Sequence, residues 1–231
     1  MRQQKLYKMA VVSAALVLTG CTGPQHVSFP TQDGGVVYAD VYGDANEDND
    51  RAVVLAHGGR FNKESWTTQA YVLEDAGFRV IAIDFRGRGQ SRGGPGSRST
   101  DDGVHFDVLA AVQYLRATGA KTVSVIGASF GGWASSRAAI SAPGEIDRIV
   151  FLAATVDEPE QLTGRKLFIV TRDDFSGGGV LRLPEIRKQY ERAPDPKELV
   201  ILKGSAHAQY IFETDQGERL MQEIIRFLSD P

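Results

Sequence analysis

The sequence predicts an α/β fold: a doubly wound, mostly parallel sheet of about eight strands flanked by helices. Three observations predict it. Short β-branched runs alternate along the chain with segments of helical spacing, as a parallel sheet with crossover helices requires. Ala52–Ala56 is a continuous apolar run, which fits a strand buried on both faces. From Val27 onward no linker, internal repeat or low-complexity tract divides the chain, so its 231 residues provide a single domain, 27–231, with ample length for a core.

The elements follow in order. Val36–Tyr42 alternates between Gly34-Gly35 and Gly43 and reads as a strand. Ala52–Ala56 is the next strand. Trp66–Ala76 has helical spacing and stops at Gly77, a C-cap signal. Arg79–Ile83 is a strand. Gly103–Thr118 places Val104, Val108, Ala111, Val112 and Leu115 on one helical face and closes at Gly119. Thr122–Ile126 is a strand, and Gly131–Ser141 a helix of small residues. Asp147–Ala153, Lys166–Val170 and Glu198–Leu202 are strands, and Gln216–Leu228 is the last helix. Gly93-Gly94-Pro95-Gly96 and Gly177-Gly178-Gly179 mark loops.

Ligands of such sheets bind outside the carboxyl ends of the strands. The polar residues that follow strands are His57, Asp84, Ser129, Asp157, Asp173 with Asp174, and His207. Ser129 stands in Gly127-Ala128-Ser129-Phe130-Gly131, between an apolar strand and a small-residue helix. A serine on so sharp a turn projects its hydroxyl from the sheet edge, and the flanking glycines leave room for the strained backbone. An alcohol is a poor nucleophile near neutral pH and needs a base. Of four histidines, His26 sits in a tether, His105 opens a helix as a surface or capping residue, and His57 stands in His57-Gly58-Gly59. His207, just past a strand, is the only one downstream of Ser129 and is the expected base. The imidazole needs a carboxylate to fix its tautomer. Asp174 is favoured, a few residues past its strand, with its neighbour Asp173 as the competitor.

The order Ser129, Asp174, His207, with Leu55-Ala56-His57-Gly58-Gly59 and Ile83-Asp84-Phe85-Arg86-Gly87-Arg88-Gly89-Gln90-Ser91 after their strands, resembles the α/β-hydrolase fold from about Val36 to Leu228. The resemblance implies a serine hydrolase that cleaves esters or related acyl bonds through an acyl-enzyme. A tetrahedral oxyanion needs preorganised N–H donors. One is the amide after the nucleophile, Phe130. The resemblance assigns the second to Gly59, with Arg60 as the alternative, and gives His57 and the Asp84–Ser91 segment structural roles. Many relatives insert a helical cap after Asp147–Ala153. Here the next strand follows too soon for one, so the sequence predicts no cap domain and an open pocket, with Arg60, Phe61, Trp66, Phe130, Phe175 and Tyr210 as walls. Small uncapped members resemble dienelactone hydrolases and prolyl-oligopeptidase-like hydrolases, although the former carry Cys where this chain has Ser129. A peptidase or amidase could use the same residues, and a non-catalytic envelope lipoprotein is the reading from another class.

The formal charge of −3 carries no basic excess, which excludes nucleic acid as an expected partner. No metal-ligand cluster or dinucleotide-binding glycine motif stands out, so no cofactor is expected. The N-terminus reads separately. Arg2, Lys5 and Lys8 precede an apolar run, Met9–Leu18, far shorter than the roughly 20 residues that span a bilayer. It reads as a signal peptide, 1–20. Leu18-Thr19-Gly20-Cys21 resembles the lipobox of bacterial lipoproteins, in which the cysteine is acylated and becomes the first mature residue. Cys21 is the only cysteine, and 21–26 then forms the lipidated residue and a short tether. The expected location is the bacterial cell envelope, on the extracytoplasmic side of a membrane. Thr22, where an Asp favours inner-membrane retention, points to the outer membrane of a diderm host. Loss of residues 1–20 would leave 23 basic against 29 acidic residues, so acyl chains rather than charge would do the anchoring.

Overall fold

The structure, a computed structural model, describes residues 23–43, 50–97, 99 and 101–230. The expected signal segment, Cys21 and Thr22 lie outside the described residues. Among those described, eight strands form one sheet: β1 (Gln25–Pro30), β2 (Val36–Tyr42), β3 (Arg51–Ala56), β4 (Arg79–Ile83), β5 (Thr122–Ala128), β6 (Arg148–Leu152), β7 (Arg165–Thr171) and β8 (Lys197–Leu202). Their order is β1-β2-β4-β3-β5-β6-β7-β8. The β1–β2 and β2–β4 pairs are antiparallel and the others parallel. The helices are α1 (Thr67–Asp75), α2 (Val104–Ala117), α3 (Phe130–Ser141), α4 (Leu183–Arg192) and α5 (Gly217–Ser229).

The period of two along each strand explains the continuous apolar runs. In β3, Ala52, Val54 and Ala56 enter one core layer and Val53 and Leu55 the other. In β7, Phe168 and Val170 face the first layer and Leu167 and Ile169 the second. Side chains of α2, α3 and α4 complete the first layer, and those of α1 and α5 the second. Every expected element appears within two residues of its expected ends.

Two elements differ from the sequence reading. β1 begins at Gln25, inside the expected tether, and His26 is no bystander: its Nδ1 lies 2.6 Å from Asp40 Oδ1. Only Phe29 of this edge strand is buried, with half-buried Val27 as its one apolar companion, so the alternation is too short to mark a strand. α4 was not expected at all. It buries only Ile186 and Gln189, too thin a stripe to show a helical period. The 12 residues between β6 and β7 hold only the 3-10 turn Pro159–Gln161, so no helical cap occupies that connection. No helix among the described residues is long and apolar enough to cross a membrane.

Candidate active site

The sequence-predicted residues meet at the carboxyl ends of β3, β5, β7 and β8. β5 lies between β3 and β6 and runs directly into α3. The chain reverses at Ser129, with φ 49° and ψ −112°, outside the regions ordinary residues favour. The Ser129 amide is held by the Leu152 carbonyl oxygen at 2.9 Å, and its own carbonyl oxygen accepts from Gly132 and Trp133. Glycine is required beside it. A Cβ on Gly131 would overlap the Ala56 carbonyl oxygen, and one on Gly127 would lie 2.5 Å from Gly132 Cα.

Ser129 Oγ lies 2.8 Å from His207 Nε2, and His207 Nδ1 lies 2.7 Å from Asp174 Oδ2. The carboxylate accepts, so Nδ1 carries the proton and Nε2 is left to accept from the serine hydroxyl. The histidine loop is tied to β7 by the Thr171 hydroxyl, which donates to the Ala206 carbonyl at 2.8 Å. Asp174 is fully buried, and its second oxygen faces Arg182 Nε at 3.5 Å. Asp173 is exposed; its amide donates to the Gly204 carbonyl, and its side chain stands outside this line. Asp157 accepts from Trp133 Nε1 at 2.7 Å instead of approaching His207.

Gly59 and Phe130 are adjacent: a Cβ on Gly59 would lie 3.7 Å from that of Phe130. Gly58 sits in a turn in which Phe61 N–H and His57 Nδ1 both donate to its carbonyl oxygen, at 2.9 and 2.8 Å. Phe85 N–H reaches His57 Nε2 at 3.3 Å. Burial lowers the His57 pKa from 6.5 to about 4, so the ring is neutral near pH 7. Arg88 donates to the Gly59 carbonyl. Arg88 belongs to the Asp84–Ser91 segment read as structural, whereas Arg182 is not singled out in the sequence, because a lone arginine carries no periodic signal. Behind this turn Asp84 accepts from the Lys63 amide at 2.9 Å. Buried Arg86 reaches Asp107 at 2.7 Å and Asp33 at 2.6 Å. Burial works against the Arg86 cation, but the two carboxylates outweigh it and raise its pKa.

Of the expected walls, Phe130 lines a cleft with His57, Gly59, Phe85 and Arg88. Phe61 and Tyr210 rings are 5.0 Å apart, Phe130 meets Phe85 and Trp133, and Phe175 is 56% exposed. Arg60 is exposed. Trp66 is a correction: it is 1% exposed and packs on Phe212 in the core layer of α1 and α5, so it lines no pocket. His105 lies half-buried in the first turn of α2, away from the histidine–serine pair. Among the described residues, no group of three or more His, Cys, Asp or Glu side chains could hold a metal ion.

Comparison with known proteins agrees with this architecture. Over 189 residues the chain is 25% identical to a serine hydrolase-like protein of Dictyostelium discoideum, covering 80% of this chain and 48% of that protein. Over 106 residues it is 35% identical to a candidate chloroplastic methylesterase of Arabidopsis thaliana, covering 45% of this chain and 26% of that protein. The chain thus spans half the length, or less, of these curated relatives. An esterase from Pyrococcus furiosus superposes with a TM-score of 0.71 at 20% identity, covering 89% of this chain and 93% of that one. An esterase from Exiguobacterium antarcticum gives 0.70 at 14%, covering 89% and 100%. At these identities the superpositions speak for the fold alone. The alpha/beta hydrolase fold family itself matches residues 51–179, more than half of the sequence. With its eight-stranded sheet and flanking helices, the chain belongs to the alpha/beta hydrolase fold family.

Proposed function

We propose that this chain is a serine hydrolase that cleaves carboxylic esters through an acyl-enzyme on Ser129. The observation that carries the reading is the unbroken line from Ser129 Oγ through His207 to Asp174, at 2.8 and 2.7 Å. Ser129 Oγ attacks the ester carbonyl while His207 Nε2 takes its proton. Asp174 holds the ring in the required tautomer and stabilises the imidazolium. The Gly59 and Phe130 amides receive the oxyanion. Collapse expels the alcohol, which takes the proton from His207. Water, deprotonated by His207, then attacks the acyl-enzyme; the Ser129 Oγ–acyl bond breaks, the acid leaves, and His207 returns the proton to Oγ. The names of the relatives, a serine hydrolase-like protein and a candidate methylesterase, support the same class.

A cleft of about 240 Å³ opens beside both amides, lined by His57, Gly59, Phe85, Arg88 and Phe130 among others. Neither Ser129 nor His207 lines this cleft, so the reading of short esters rests on the β6–β7 connection, which holds no helical cap to enclose a long acyl chain. The test is an ester-length series. Turnover of p-nitrophenyl acetate or butyrate should exceed that of the palmitate ester, and Ser129→Ala should abolish both turnover and fluorophosphonate labelling. Labelling that survives in Ser129→Ala would refute the nucleophile.

We infer, from the sequence alone, that Cys21 anchors the protein to a bacterial envelope membrane. In a bacterial host, palmitate incorporation and membrane fractionation that both disappear in Cys21→Ala would support this. A soluble, unlabelled wild-type product would refute it.

A further inference from the structure

We infer that Gln209 is a positioning residue that fixes the oxyanion-binding turn relative to the catalytic histidine, an inference that rests on the ester-hydrolase reading above. Gln209 follows His207 by two residues and is 5% exposed. Its Oε1 accepts from the Gly58 amide at 2.8 Å, joining segments 151 residues apart in sequence. Its Nε2 donates to Ser65 Oγ at 2.7 Å, and the Ser65 hydroxyl donates onward to the Asn62 carbonyl. This chain of donors fixes which end of the side-chain amide faces Gly58, because the flipped amide would oppose two N–H groups.

The arrangement orients a particular peptide. The Gly58 carbonyl is held by His57 and Phe61, and the Gly58 amide by Gln209. Both peptide planes that flank Gly58 are therefore fixed from the protein side. The next amide, Gly59 N–H, shares the planar trans peptide of the held Gly58 carbonyl and so points opposite to it. Gly58 is also packed closely: a Cβ there would lie 3.3 Å from the Phe61 ring and 3.4 Å from Gln209 Oε1. On the histidine side, Ala208 has φ +52°, a conformation costly for a non-glycine residue, so the three residues from base to tie are tightly set. One buried side chain thus connects the base to the donor turn without passing through the sheet. Such ties matter because oxyanion stabilisation depends on donors being placed before charge develops.

The experiment compares wild type, Gln209→Met, Gln209→Glu and Ser65→Ala. Gln209→Met keeps the volume and removes both hydrogen bonds. It should lower kcat on p-nitrophenyl butyrate on the order of 10-fold, less than the roughly 10²–10³ lost when an oxyanion donor is deleted outright. KM should stay within about twofold, and affinity for a trifluoromethyl ketone should fall in step with kcat, because both read the oxyanion. The acidic limb of the pH profile should not move, because His207 and Asp174 are untouched. Gln209→Glu retains the acceptor and should recover most of the loss. Ser65→Ala, which leaves the buried glutamine in place, should show the same pattern more weakly and serves if Gln209→Met fails to fold. Gly58 amide exchange, which needs no substrate, should speed up in Gln209→Met. Unchanged kcat and inhibitor affinity in an active Gln209→Met, or a displaced acidic limb, would overturn the positioning role. If the wild type hydrolyses no ester, faster Gly58 exchange would leave the tie standing and remove only the ester reading. Unchanged exchange would sink the tie itself.

Discussion

His57 Nδ1 lies 2.8 Å from the Gly58 carbonyl oxygen, and that oxygen belongs to the same peptide unit as the Gly59 amide. A carbonyl can only accept, so Nδ1 carries the proton and Nε2 must accept from Phe85 N–H. The buried ring is thus committed to one neutral tautomer, and a second proton would set Nε2–H against an amide donor.

Stability should therefore depend on acid. The His57 pKa is held at about 4 against 6.5 in an unfolded chain. Between those values the unfolded state binds more protons. The contribution is complete above about pH 6.5 and is lost as pH falls toward 4, by roughly 3 kcal/mol in all. Urea unfolding at pH 7, 5.5 and 4 checks this, and His57→Gln should flatten that part of the profile.

Asp174 and Asp173 should separate sharply. Asp174→Asn removes the acceptor that fixes the His207 tautomer, and kcat on p-nitrophenyl butyrate should fall by about 10⁴-fold. Asp173→Asn changes an exposed side chain and should leave kcat within about twofold. Equal losses in the two variants would overturn the assignment.

Arg86 should be a stability residue. Arg86→Met leaves fully buried Asp107 without its cation, a loss on the order of 3–5 kcal/mol, whereas Asp107→Asn leaves Arg86 paired with Asp33 and should cost less. Asp33 is partly exposed, so Asp33→Asn should cost about 1 kcal/mol or less. Chemical denaturation of the three variants measures the ranking.

Gly131→Ala should destabilise by about 1–3 kcal/mol, because its methyl group would overlap the Ala56 carbonyl and α3 would have to shift from β3. As α3 carries the turn at Ser129, kcat should fall with stability. Gly144→Ala is the control. Unlike Gly131 it has positive φ, but open space surrounds it, so only backbone strain of about 1 kcal/mol applies.

The parts of the site legible in sequence were those with local signatures. Ser129 announced itself through glycines that no other residue could replace at the strand–helix junction. His207 was narrowed by the scarcity of histidines. The sequence favours Asp174 over Asp173 only by its distance past the strand, because adjacent residues on one loop differ chiefly in which way the backbone turns them. Trp66 was assigned to the mouth on its aromatic character, but its place on the inner face of the chain before α1 buries it. Gln209 acts through two contacts with distant segments and Arg182 through one with Asp174, and neither kind leaves a periodic trace. α4 escaped because five of its ten residues are charged, and β1 because it is a largely exposed edge strand.

The brevity of the β6–β7 connection has an engineering consequence. Residues 153–164 join two central strands on the rim of the mouth, yet contain none of Ser129, His207 or Asp174. The chain is in effect a bare chassis with a vacant docking port. A helical module spliced near Pro159 could be selected for discrimination among large esters while the chemistry beneath it stays untouched.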